Sequence, residues 1–81
     1  LMAKTDNKTK IKPGSVIRCK FKNKETGMAF HHYGIYSGNR NVIHLRGKTE
    51  KIEETTIAEF ARDALDDGLI EVMLFNLAKI E

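Results

Sequence analysis

A chain with one cysteine cannot close a disulfide on itself, so no covalent cross-link within these 81 residues holds the fold. Sparing use of thiols suits a reducing compartment, and the expectation is a cytoplasmic protein. No apolar run approaches the ~18–20 residues of a membrane span, and no signal-peptide apolar core is present. Low-complexity tracts are absent too. Acidic residues are scarce at the start of the chain: Lys4, Lys8, Lys10 and Lys12 stand against Asp6 alone, whereas Glu53, Glu54, Glu59, Asp63, Asp66 and Asp67 load the second half. Net charge is +3, and 41% of the residues are apolar, enough for one domain with a thin core. Residues 1–12 read as a disordered, solvated basic leader, with Met2 the natural start. Nucleic acid or an anionic membrane surface is the sharper alternative for those lysines, but no aromatic residues interleave them.

The most informative stretch is His31-His32-Tyr33-Gly34-Ile35-Tyr36-Ser37-Gly38-Asn39-Arg40-Asn41-Val42-Ile43-His44-Leu45. Aromatic and β-branched residues on either side of Ser37–Asn41 suit a β-hairpin, and Gly38, Asn39 and Asn41 tolerate the positive φ that a reversal needs. Strand alternation puts His32, Gly34 and Tyr36 on one face of the first arm and Val42, His44 and Arg46 on one face of the second. A register pairing Tyr36 with Val42 sets Gly34 opposite His44 and makes the two histidines diagonal neighbours, roughly 7–8 Å apart at Cα. A shift of two residues places them directly opposite, and a shift of one puts them on different faces. These alternatives stay open on sequence alone.

Pro13-Gly14 punctuates the end of the leader, and Ser15–Phe21 alternates as a half-buried strand with Ile17, Cys19 and Phe21 inward. Arg46–Lys51 reads as a charged loop or a short exposed strand ending at Ile52. Thr56 with Glu59 three residues later has capping-box spacing. Ile57, Phe60, Ala61, Ala64 and Leu65 make one apolar stripe, predicting a helix over 57–65 that Gly68 closes. Leu69–Phe75 reads as an apolar interior strand, and Asn76–Glu81 as the start of another element. The expected class is α+β: a small antiparallel β-sheet with one packed helix, in the order strand, strand, strand, helix, strand. A strand apolar on both faces needs cover on both, so self-association, a partner protein or a C-terminal segment is expected to supply it.

Pro13-Gly14-Ser15-Val16-Ile17, His32-Tyr33-Gly34-Ile35-Tyr36-Ser37-Gly38 and Val42-Ile43-His44-Leu45 together resemble the N-terminal part of the lecithin:retinol acyltransferase family, NlpC-type papain-like thiol enzymes with permuted chain order. The interval from His32 to His44 matches that family, and Ser15 stands where it usually has aspartate. The resemblance covers residues 13–46 well and the following helix and strand loosely. It implies a partial permuted papain-like fold in residues 13–81 and an acyl-bearing lipid or an amide or ester as substrate; no cofactor or metal is expected. By resemblance His32 would be the general base and His44 the polar third member that orients it. The family's nucleophile lies in an Asn-Cys-Glu-His-Phe motif that does not occur here, so the chain reads as truncated before that helix and inactive alone. Cys19, on the same strand face as Ile17 and Phe21, is expected to be a buried, inert thiol. Three readings follow: the base-bearing half of a thiol acyltransferase or hydrolase, a catalytically inactive binding module of the same fold, or a small basic β-domain stacking RNA on His31, Tyr33 and Tyr36. A metal site from His31, His32, His44 and Cys19 has no tight ligand spacing behind it.

Overall fold

The computed structural model describes residues 2–5 and 10–73. Within them six strands form a single antiparallel sheet: β1 (Met2–Thr5), β2 (Val16–Lys22), β3 (Ala29–Gly38), β4 (Asn41–Arg46), β5 (Lys51–Thr56) and β6 (Ile70–Met73), in the spatial order β1-β6-β2-β3-β4-β5. One helical turn, α1 (Ile57–Phe60), and a second turn, α2 (Leu65–Gly68), lie between β5 and β6. The class is α+β. Four residues of the stretch expected to be a disordered leader form β1, paired with β6 from Met2↔Met73 to Thr5↔Ile70. The strand expected over Leu69–Phe75 is interior, between β1 and β2, for its described part Ile70–Met73; the expectations for Leu74–Glu81 fall outside the described residues.

Alternation decides which residues meet in the core. Ile17 and Cys19 on β2 are fully enclosed, and Val42 on β4, Phe60 on α1 and Val72 on β6 join them from the same side of the sheet. Around this small cluster pack the half-buried Phe21, Tyr36, Ile57, Ala61 and Ala64. The β3–β4 reversal is a two-residue loop in which Asn39 (φ 51°) and Arg40 (φ 63°) are both left-handed, the type I′ geometry whose twist matches the strands it joins. Ser37 is an extra residue, since the pairing shifts by one between Tyr36↔Val42 and Gly38↔Asn41. Below the bulge Gly34 lies opposite His44.

Two further elements differ from the sequence expectation. The helix over 57–65 is one turn long. Thr56 caps it as expected, its hydroxyl accepting from the Glu59 amide at 3.1 Å, but the chain leaves the helix after Phe60. Asp63, Asp66 and Asp67 take φ of 64°, 55° and 55°, conformations open to aspartate that end right-handed helix. The segment has to cross from β5 at one edge of the sheet to β6 beyond β2, four strand spacings of roughly 4.8 Å each, further than the ~14 Å rise of nine helical residues. Ile57, Phe60, Ala61 and Ala64 still pack on the core, whereas Leu65 does not belong to it. The second difference is β5, a full edge strand where a charged loop or a short strand to Ile52 was expected. Its exposed edge position suits Lys51, Glu53 and Glu54, charges that discourage further strand pairing.

One face of the sheet carries the core and the crossing segment. On the other, Tyr33, Ile35, Ile43, Leu45 and Ile52 are exposed on β3, β4 and β5. The uncovered apolar surface thus lies on these strands rather than on β6, whose described residues are buried or half-buried.

Candidate functional site

The register that makes the histidines diagonal neighbours is the one observed, and their side chains close the remaining distance. His32 Nε2 lies 2.9 Å from His44 Nδ1. The pair stands on adjacent strands and on the core face, where Phe60 braces both rings. Its ring centroid is 5.1 Å from that of His32, tilted by 30°, and 5.0 Å from that of His44, edge to face at 83°. His44 is 6% exposed, whereas His32 is half-buried and meets Phe21 edge-on at 6.0 Å. Gly34 makes this stacking possible. A Cβ there would lie 2.5 Å from Val42 Cγ1 and 2.9 Å from Phe60 Cε1, so only hydrogen leaves room for the ring beside the histidines.

A third polar group completes the row. His44 Nε2 is 2.8 Å from Thr55 Oγ1 on β5, and that hydroxyl is 3.2 Å from the carbonyl oxygen of Thr56. Sequence reasoning missed Thr55. The available signal was that Thr56, as an N-cap, still has extended backbone (φ −70°, ψ 157°), so a strand can run straight into it, with Thr55 the last inward residue. Beyond the pair lies a groove of about 670 Å³, walled by Phe21, Phe30 and Phe60 and rimmed by Arg46, Lys48 and Arg62. Arg46 is held by Glu53 at 3.4 Å and Glu59 at 3.3 Å, and Arg62 by Glu59 at 3.1 Å.

Burial lowers the His32 pKa below the ordinary 6.5. His44 is lowered as well, by burial first and then by His32 and Arg46, with Glu53 and Glu59 opposing. Two neutral imidazoles in contact suit a hydrogen bond, because one donates and the other accepts. The fold therefore binds fewer protons than the unfolded chain just below pH 6.5, and stability rises with pH across that window. The contribution is complete above the unfolded value and is lost as pH falls toward the folded values. Melting temperature is expected to drop from pH 7 to 5, more steeply than in a variant with both histidines replaced by glutamine. Parallel slopes would remove the pair as the cause.

The other residues singled out by sequence lie elsewhere. His31 is on the opposite face, its Nε2 3.9 Å from Glu71 Oε1, beside an Arg18–Glu71 ion pair of 3.1 Å. Consecutive histidines on one strand cannot converge, so His31, His32, His44 and Cys19 form no joint ligand set. Tyr36 faces the core and accepts a hydrogen bond from the Arg40 amide at its hydroxyl, so it shares no stacking platform with His31 and Tyr33. Cys19 is 1% exposed, its thiol 3.7 Å from the Phe60 carbonyl oxygen, and burial pushes its pKa up to about 11. Among the described residues no helix is long and apolar enough to cross a membrane.

The described residues thus form a small α+β domain whose antiparallel sheet carries a histidine pair across one hairpin, beside an apolar groove. A model of the lecithin retinol acyltransferase family matches residues 9–76, and the chain belongs to that family. Comparison with curated proteins and with solved structures gave no match.

Proposed function

We propose that this chain supplies the base half of a thiol acyl-transfer site. His32 takes the proton of a cysteine thiol, and His44 orients His32 and stabilises its charged form. The observation that carries this reading is the 2.9 Å contact between the two rings on a rigid hairpin, at the edge of an apolar groove. An imidazole beside a thiol favours the thiolate, which attacks an acyl carbonyl. His32 then returns the proton to the departing group, leaving an acyl-thioester for water or a second acceptor. The groove's phenylalanine walls fit an acyl-bearing lipid or a comparable ester or amide.

In this reading the thiol is not Cys19, which is enclosed and protonated at neutral pH. It is brought by an Asn-Cys segment of the family's kind, placed as in the permuted papain-like order, from outside these 81 residues. The 81-residue chain alone is expected to show no ester or amide hydrolysis and no labelling by an acyl-donor probe. Labelling of Cys19 that disappears in Cys19→Ser would overturn the assignment. Joined to a cysteine-bearing C-terminal segment, the chain should gain acylation, and His32→Ala should lower its rate by about 10²–10⁴, the usual worth of a general base. Acylation in the joined protein at an unchanged rate after that substitution would remove His32 as the base.

A further inference from the structure

The row of short contacts through the histidine pair has a direction, which follows from counting protons. There are three contacts: Thr55 Oγ1 to Thr56 O, His44 Nε2 to Thr55 Oγ1, and His32 Nε2 to His44 Nδ1. The carbonyl can only accept, so the first contact is a hydrogen bond only if the Thr55 proton points at Thr56. That hydroxyl has no second proton and must accept from His44, whose Nε2 therefore carries hydrogen. A neutral His44 is then bare at Nδ1 and accepts from His32 Nε2–H. In the reversed order Thr55 would donate to His44, leaving two oxygens 3.2 Å apart with no proton between them. Only the first order places one proton in each contact.

We infer that Thr55 is a positioning residue that, through His44, fixes Nδ1 of His32 as the nitrogen free to take a proton. The purpose of that polarity rests on the acyl-transfer reading above; the polarity itself rests on the three contacts. Among the described residues no hydrogen-bond partner occupies His32 Nδ1. Without the Thr55 hydroxyl, a nearly enclosed Nε2–H on His44 would lose its acceptor, an expensive state for a buried donor. Moving the His44 proton to Nδ1 relieves that, but His32 Nε2 must then accept and its own proton must sit at Nδ1. The base nitrogen would be blocked while both rings stayed where they are.

Long-range ¹H–¹⁵N spectra of the ¹⁵N-histidine-labelled 81-residue chain, taken above pH 6.5 where both rings are neutral, read the tautomers directly. The expected result is hydrogen on Nε2 and a bare Nδ1 at both His32 and His44. Thr55→Val keeps the shape and removes the hydroxyl, and should abolish that single-tautomer pattern at both rings, whereas Thr55→Ser should restore it. A wild-type His32 protonated at Nδ1, or a folded Thr55→Val protein with unchanged tautomers, would overturn the inference. If the valine variant does not fold, the wild-type and serine spectra decide alone: Nε2–H at both rings in both proteins supports it, and any other distribution overturns it. These spectra need no thiol and no acyl donor. A wrong tautomer with a rate-limiting His32 in the joined protein would thus sink the relay alone, and the converse result would sink the acyl-transfer reading alone.

Discussion

Replacing Phe60 by alanine is expected to destabilise the fold by about 3–5 kcal/mol, the range for deleting an enclosed phenylalanine ring. Phe60 is 2% exposed and is the largest of the fully enclosed side chains, in a core whose other buried apolar members are Ile17, Cys19, Val42 and Val72. Small domains sit near the low end of the usual 5–15 kcal/mol, so this one side chain represents a large share of the total. The loss would not be confined to packing. Phe60 contacts both histidine rings, and its removal would free His32 and His44 to leave their mutual hydrogen bond. Thermal melts followed by near-ultraviolet circular dichroism should show a transition lowered by many degrees or absent. A Phe60→Ala protein that melts like the parent would show that the ring is not the keystone of the inner face.

The parts of this arrangement that were legible beforehand are those in which side-chain periodicity and burial agree. Ile17 and Cys19 alternate with Arg18 and Lys20, and the structure buries the first two. The hairpin was legible because Gly38 and Asn39 mark a reversal between two β-branched arms, although its register was one of several until Gly34 met His44. Where polarity and position part company, the signal failed. β5 carries Lys51, Glu53 and Glu54 because it is an edge, and nothing apolar on its inward side announced a strand. Thr55 was hidden by the same cause, since its hydroxyl serves His44 rather than the core. The apolar stripe from Ile57 to Ala64 is real, but helical spacing is not proof of helix. After Phe60 the chain runs as turn, with Asp63 left-handed, and Ala61 and Ala64 reach the core without a helix.

Gly34→Ala should be damaging although it adds only a methyl group. In an extended strand alanine is ordinarily the better residue by roughly 0.5–1 kcal/mol, since glycine loses more backbone freedom on folding. Contact outweighs that gain here. The added carbon would stand 2.5 Å from Val42 Cγ1, 2.9 Å from Phe60 Cε1 and 3.1 Å from the Ile43 carbonyl oxygen. Val42 is fully enclosed and Phe60 nearly so, and neither can move aside without opening a void or pressing on the histidines. Overpacking of a tight core typically costs about 1–3 kcal/mol, and with backbone on one side the upper part of that range is expected. A double-mutant cycle separates this clash from any general effect of the substitution. Val42→Ala alone should destabilise by leaving a cavity, yet combined with Gly34→Ala it removes the closest contact, so the double variant should be more stable than the sum of the singles by about 0.5–3 kcal/mol. Strict additivity would mean that Val42 is not what the added methyl meets, and a Gly34→Ala protein at least as stable as the parent would mean that neither Val42 nor the Phe60 ring crowds Gly34.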